Sequence, residues 1–391
     1  MQILVLNFGG SSFKFLLEEE GKALSSGQVD RLGTKDAELK ADFGRELLGE
    51  LSPKEALAAV LDRLSSHGLL KKEKLAAVAH KVAHGGSFFR EAVFVDEKVK
   101  EAIRACIPLA PVHNPPALAG IELCQELFGD LKQVAAFETG FHQSLPAYAY
   151  TYGIPYEWQE KYGARKYGFH GTSHRYVSQE VARILGKDDL RIISCHLGSG
   201  TSVAAIRGEE SVDISSGLTP QAGTIMSTRP GDFDPWLFPY LGEQLGLSAQ
   251  ELSQQLIKKG GLLGISGLSG DMRDLEEARS AGSSRAALAI DVFCYQVKKY
   301  IGAFAASLGG VDVLVFTGGI GEHSPSIRAQ ICQGLDFLGI ALDPAKNEDV
   351  EEGAIGKGPC EVLVIKTQEE IMVARQARNL LKKERENNGI S

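Results

Sequence analysis

A two-domain α/β protein with a duplicated sheet core is the fold class that this sequence predicts, and three observations lead there. Three segments repeat one pattern, a short apolar strand running into a glycine-rich polar turn: Ile3 to Lys14 (ILVLNFGGSSFK), Arg191 to Ser202 (RIISCHLGSGTS) and Val311 to Ser324 (VDVLVFTGGIGEHS). In the first two, the chain re-emerges as an apolar segment (FKFLLE, then SVAAIRG), which predicts hairpins whose glycine turns leave backbone N–H groups free for phosphate. The chain of 391 residues is longer than one hydrophobic core usually supports, so each hairpin is expected to head its own domain beside a shared cleft.

The N-terminus, MQILVLNFGG, has no basic stretch ahead of its apolar residues and meets glycines soon after, so it reads as a buried strand and not as a signal peptide. The proline-dense PLAPVHNPPAL, Pro108 to Leu118, is expected to be a rigid loop, because proline suits neither a helix interior nor a central strand. Rigid loops often carry function. Ser284 to Leu308 predicts a helix with Leu288, Val292, Ile301, Phe304 and Leu308 on its buried face, backing the third strand. The C-terminal EEIMVARQARNLLKKEREN reads as an amphipathic helix ending in a frayed, solvated tail.

Apolar residues make up 43% and charged residues 24%, an ordinary globular balance that excludes long disorder and fibrous repeats. A net charge of −8 with no dense basic run argues against nucleic acid or an anionic membrane as partner. No run of about 18 apolar residues occurs, so no membrane span is expected. The six cysteines are scattered without CxxC spacing and predict buried, reduced thiols in a cytoplasmic protein.

Eight histidines lie inside short polar motifs: His80, His84, His113, His142, His170, His174, His196 and His323. A lone histidine is more often structural, but these cluster with glycine, arginine and carboxylates. Arg229, in TPQAGTIMSTRPGDFDP, reads either as a surface arginine in a weak ion pair or, together with His170 in YGFHGTSH, as a clamp on a developing phosphoryl charge. One glycine-rich turn is weak evidence. Three of them after strands, one with Lys14 just beyond it, favour nucleotide phosphates, although GxxxxGK[ST] is absent and no P-loop fold is indicated.

In order along the chain stand LVLNFGGSS, HKVAHGG, PVHNPP, FETGFHQSLP, RKYGFHGTSH, CHLGSGTS, STRPGDFDP, GISGLSGDMRDL, FTGGIGEHS and QEEIMVAR. This set resembles the acetate kinase family nearly end to end. The resemblance implies the actin-like ATPase or sugar-kinase (ribonuclease H-like) fold and a homodimer. It also implies an acyl-substrate domain over residues 1–142, completed by a C-terminal helix over 371–391, and a nucleotide-binding domain over 143–370. The implied reaction is reversible, direct in-line transfer from ATP to acetate, giving ADP and acetyl phosphate without a phosphoenzyme. By likeness, Asn7 and Glu369 would hold Mg²⁺ (or Mn²⁺), and Lys14 would face the phosphates. His170 and Arg229 would stabilise the transition state. His196, Leu197, Gly198, Ser199 and Gly200 would cradle phosphates, with Asp271, Met272 and Arg273 at the adenosine. Gly319, Ile320, Gly321, Glu322 and His323 would form an adenosine-side turn. Lys81 would face the substrate carboxylate, and Ala83, Val112, His113, Phe169 and Pro220 would surround the acyl tail.

This chain departs from the family pattern at several of these places. Lys81 stands for an arginine, Glu138 for an aspartate, Ser199 and His323 for asparagines, and Gly10 for a serine. Lysine offers one point charge where arginine offers a planar fork, which implies weaker carboxylate binding. A substrate carboxylate, with a pKa near about 4, needs no general base. Glu138 is therefore expected to act on Mg²⁺ or its waters. Ala83 stands where valine is usual, leaving room for a longer acyl chain such as propionate. A catalytically weakened nucleotide-binding regulator is the rival reading; the retained Asn7, Lys14, His113, His170, Arg229, Asp271, Arg273 and Glu369 weigh against it.

Overall fold

A computed structural model describes residues 1–389. The chain divides into two compact units, one made of Met1–Gln143 together with the chain from Gln368 onward, the other of Ser144–Thr367.

The first unit is built on an eight-stranded mixed sheet in the order β5-β4-β3-β2-β1-β6-β8-β7. Its strands are β1 (Gln2–Phe8), β2 (Phe13–Glu19), β3 (Lys22–Asp30), β4 (Glu38–Ala41), β5 (Gly44–Leu47), β6 (Leu75–Val82), β7 (Val93–Phe94) and β8 (Lys132–Phe137). The expected first hairpin is β1–β2, which pairs Asn7 directly across from Lys14. Strands β1, β6 and β8 run parallel and buried on both faces, which explains their continuous apolar runs. Alternation sends Leu4, Leu6 and Val78 toward the helix Pro53–Ser66 on one side. On the other, Ile3, Val5, Ala77 and Ala79 meet Val373, Ala374, Ala377 and Leu381 of the C-terminal helix Glu369–Asn387. Arg378 of that helix also pairs with the fully buried Glu18 of β2.

The second unit repeats the plan with a six-stranded sheet, β11-β10-β9-β12-β14-β13. Its strands are β9 (Arg191–Leu197), β10 (Thr201–Arg207), β11 (Glu210–Ile214), β12 (Val313–Thr317), β13 (Gly353–Ala354) and β14 (Glu361–Val364). Strands β9 and β10 form the second hairpin, while β12 lies parallel to both β9 and β14. Ile193, Cys195 and Leu197 on one face of β9 pack on the long helix Ser284–Leu308 through Ile290, Phe293, Val297 and Ile301. That helix has the expected limits, capped by Ser283 and ended by Gly309 in the left-handed conformation. The opposite face of β9 carries Ser194 and His196 toward the helix Gly171–Leu185.

Three expectations need correction. Leu288 is 53% exposed and Val292 only partly buried, because the buried stripe passes instead through Ala286, Ala289, Ile290 and Phe293. Small alanines serve here as the contact residues. Pro108 to Leu118 is not a loop throughout, since Ile107–Leu109 is a 3-10 turn and Asn114 opens a helix running to Phe128. Pro115 and Pro116 sit in its first turn, where the missing N–H has no intrahelical partner to lose. The third glycine segment continues from β12 into the short helix Gly318–His323 and is not an open turn.

All six cysteines are buried and unpaired. Among the described residues, no helix is long and apolar enough to cross a membrane.

Candidate active site

Parallel strands deliver side chains to one edge of a sheet, their carboxyl ends, and both units use that edge. In the first unit Asn7 is the penultimate residue of β1, Lys81 lies near the end of β6, and Glu138 follows β8, its N–H bonded to Val82 O at 2.9 Å. Lys81 Nζ stands 2.8 Å from Glu138 Oε1 and also bonds Glu369, the first residue of the C-terminal helix. Burial alone would depress the Lys81 ammonium. Glu138 and then Glu369 more than offset this, so its pKa is held well above the usual range. The Lys81 and Glu138 substitutions thus meet each other in the fold. Lys14 is exposed on β2, Ala83 is half-buried, and Val112 and His113 are exposed.

Glu138 and Glu369 offer anionic oxygens suited to a hard cation, and Asn7 offers an amide oxygen at the same sheet edge. This donor chemistry fits Mg²⁺. Among the described residues, no cluster of three His, Cys, Asp or Glu side chains is already gathered around a point.

In the second unit the pairing of Thr317 with His196 sets the ends of β12 and β9 side by side. Gly318, with φ +76°, packs so closely on Leu197 that a Cβ there would stand 2.8 Å from Leu197 O. Glu322 ties the turn down, accepting from Gly318 N at 2.8 Å and Thr367 N at 3.0 Å. The result is a cavity of about 330 Å³ at the strand ends, lined by Gly198, Ser199, Asp271, Met272, Arg273, Gly319, Ile320 and His323 among others. Three distant sequence segments meet there. Asp271 caps the helix Met272–Ser280, and the Arg273 side chain bonded to it holds its carboxyl below the usual range. The Leu197 side chain belongs to the core, so only its backbone borders this region. The cavity also includes Ser227, Gly270 and Ser324, which lie within the quoted motifs without standing out as site residues, and Glu276, one residue beyond GISGLSGDMRDL.

His170 and Arg229 come together at Gly200. The point where a Cβ on Gly200 would stand is 3.2 Å from His170 Nε2 and 3.7 Å from Arg229 Nη1. Glycine is what lets both cationic or donor groups close over this turn. His170 holds φ 57°, a left-handed conformation in a residue with a Cβ, at the start of the helix Gly171–Leu185. Such strain costs about 1–3 kcal/mol and tends to persist where function requires the geometry. Arg229 reaches inward from the irregular stretch after β11, which is pinned by Asp232 accepting from Gly223 N at 2.8 Å. Its Nη1 donates to Pro220 O at 2.9 Å, and burial depresses its pKa. Phe169 is buried in this unit, its N–H donating to Ser216 Oγ at 2.9 Å.

The model of the acetokinase family matches residues 2–375. The chain belongs to the acetokinase family. Among its relatives, an acetate kinase of Carboxydothermus hydrogenoformans is 46% identical over 396 residues, spanning 97% of this chain and 99% of the relative. The crystal structure of Porphyromonas gingivalis acetate kinase superposes with a TM-score of 0.91 at 41% identity, covering 97% of this chain and 99% of that one. A propionate kinase from Francisella tularensis matches with the same TM-score and identity over 96% of this chain and 98% of that one. The acetokinase fold is the two-domain α/β architecture of actin-like ATPases and sugar kinases, with a mixed sheet in each unit. Acetokinases are phosphotransferases acting on a carboxylate.

Proposed function

We propose that this protein phosphorylates acetate with ATP, reversibly, giving acetyl phosphate and ADP by direct in-line transfer. The observation that carries this reading is the convergence of His170 Nε2 and Arg229 Nη1 on the Gly200 turn. An imidazole and a guanidinium beside one turn, the latter held by Pro220 O and Met226 Sδ, supply the fixed positive potential that a transferring phosphoryl group requires, with no covalent chemistry asked of the protein. The cavity bordered by Gly198, Asp271 and Gly319 supports placement of the nucleotide in the second unit. The acyl substrate is assigned to the first unit.

Bound Mg²⁺, held by Asn7 and Glu369, would neutralise phosphate charge during transfer. Glu138 belongs with that ion and its waters, because an already ionised carboxylate nucleophile gives a base nothing to do. Glu138→Gln should weaken Mg²⁺ dependence; a rate loss confined to proton transfer would contradict this role. Lys81, already braced by two carboxylates, presents its remaining N–H to the substrate carboxylate. Ala83, Val112 and His113 of the first unit are assigned to the acyl tail. His196 to Gly200 and Lys14 are assigned to phosphates, and Gly319 to His323, with Asp271, Met272 and Arg273, to the adenosine.

The enzyme is proposed to be a cytoplasmic homodimer. Phe233, Trp236, Leu237, Tyr240 and Leu245 are exposed along and just before the helix Leu237–Leu245, which buries no residue of its own, and a second copy of the chain would cover them.

Trapping the product as acetyl hydroxamate, with ATP, Mg²⁺ and acetate supplied, tests the activity. Steady turnover is expected, whereas nucleotide binding without any hydroxamate would establish the weakened regulator instead.

A further inference from the structure

His170 does not stand alone. Its Nδ1 lies 2.8 Å from Ser202 Oγ, the same oxygen lies 2.8 Å from His174 Nε2, and His174 Nδ1 lies 2.9 Å from Ser194 Oγ. Ser194, Ser202 and His174 are all fully buried. The sequence builds this chain from two periodicities. His170 and His174 are four residues apart at the start of one helix, while Ser194 and Ser202 share a face of the β9–β10 hairpin. The His170 ring also stacks on His196 at 4.3 Å, and His196 Nδ1 lies 2.8 Å from Ser173 Oγ, which in turn meets Thr367 Oγ1 at 2.8 Å.

A hydroxyl has one proton, so Ser202 can donate to only one of the two imidazoles it touches. Where Ser202 donates to one of these rings, the restriction orders the whole chain. In one order Ser194 donates to His174 Nδ1, His174 Nε2–H donates to Ser202, and Ser202 donates to His170 Nδ1. The proton of a neutral His170 then sits on Nε2, facing Gly200. In the reverse order His170 Nδ1–H donates to Ser202, and Nε2 is a donor only if His170 is a full cation. Among the titratable and charged groups near the His170 ring are Arg229 and His196, with His174 one hydroxyl away through Ser202. Arg229 converges on the same point as Nε2, so a second full positive charge there is repelled in a half-buried setting.

We propose that Ser202 and His174, backed by Ser194, are positioning residues that hold His170 as the neutral imidazole with its proton on Nε2. The inference rests on the reading that His170 donates to the transferring phosphoryl group. His170 then acts as a hydrogen-bond donor that keeps its proton throughout, and Arg229 supplies the net charge at this point.

The direct test is the imidazole nitrogen spectrum of ¹⁵N-histidine-labelled protein at neutral pH without ligands, the His170 signals being assigned by their loss in His170→Gln. An unprotonated Nδ1 with a protonated Nε2 is expected. Protonation of both nitrogens, or of Nδ1 alone, overturns the proposal, and the measurement needs no variant of the serine or of His174 to fold. In turnover, Ser202→Ala is expected to lower kcat roughly tenfold, about one hydrogen bond's worth, with both KM values within about twofold. Ser202→Thr should restore most of the loss. The wild-type kcat should stay flat as pH rises from about 6 to 8; a decline through the usual histidine pKa of about 6.5 would show that the cation is required and overturn the proposal. If the spectrum is as expected while no acetyl phosphate forms, the fault lies in the functional reading and not in the tautomer.

Discussion

Arg229 has burial against it and a carbonyl, Pro220 O, to hold its aim. A group kept in place at that cost is expected to matter in the transition state more than in the ground state. Arg229→Ala should therefore lower kcat by about 10²–10³-fold while ATP binding changes little, as steady-state kinetics would show. A second residue-scale prediction concerns stability. His80, on β6, is buried with its Nε2 2.6 Å from the Gln133 side chain, and desolvation pushes its pKa down to about 4. Unfolded histidine titrates near about 6.5, so between these values the unfolded chain binds the extra proton and stability falls as pH falls. Relative to His80→Gln, the wild type should lose roughly 3 kcal/mol between pH 7 and pH 4, read from urea unfolding at both values. A difference that does not change with pH would remove this account of His80.

At the scale of elements, the C-terminal helix Glu369–Asn387 is both a wall of the first unit's core and the carrier of Glu369. Its Arg378 balances Glu18, whose pKa burial pushes up against the lowering effects of Gly21 N and Arg378. Arg378→Met leaves a buried carboxylate without its cation and should cost about 3–5 kcal/mol, visible as a lower melting temperature. Much of this level was legible in the sequence. Strand–glycine–strand segments located both hairpins, and 3.6-residue periodicity with Ser283 and Gly309 bounded the long helix. What periodicity misjudged was which face is buried, because Ala286 and Ala289 let the sheet approach closely while Leu288 points to solvent. Asn114 to Leu118 is helical against expectation because proline, a breaker in a helix interior, is tolerated in the first turn. In the site, glycine, histidine and arginine motifs were visible. The partners of Ser202, Ser173 and Thr367 were not, although both serines stand in quoted motifs, since a serine or threonine shows its partner only once strands and helices are assembled. The i, i+4 spacing of His170 and His174 was the one available hint.

For the whole molecule, the acyl preference is the part of the proposed function that two structural neighbours frame. The chain is equally similar, by superposition, to a structure of an acetate kinase and to one of a propionate kinase. On the proposed assignment of Ala83 to the acyl tail, alanine in place of valine would leave room for roughly two further carbons, each buried methylene being worth about 0.8 kcal/mol. Propionate is therefore expected to match acetate in kcat/KM within about tenfold, and Ala83→Val should shift the ratio toward acetate. A wild-type preference for acetate far beyond that range would refute the pocket assignment. Dimerisation is expected to fail in Trp236→Asp, with sedimentation velocity distinguishing one copy from two.

The claim on which all of this depends is that His170 and Arg229 act on one and the same group. Single-turnover phosphoryl transfer by wild type, His170→Gln, Arg229→Gln and the double variant measures that directly. Side chains serving one transition state should be strongly non-additive, the double variant being scarcely slower than the worse single one. Independent losses that simply multiply, or a single variant as fast as wild type, would contradict it.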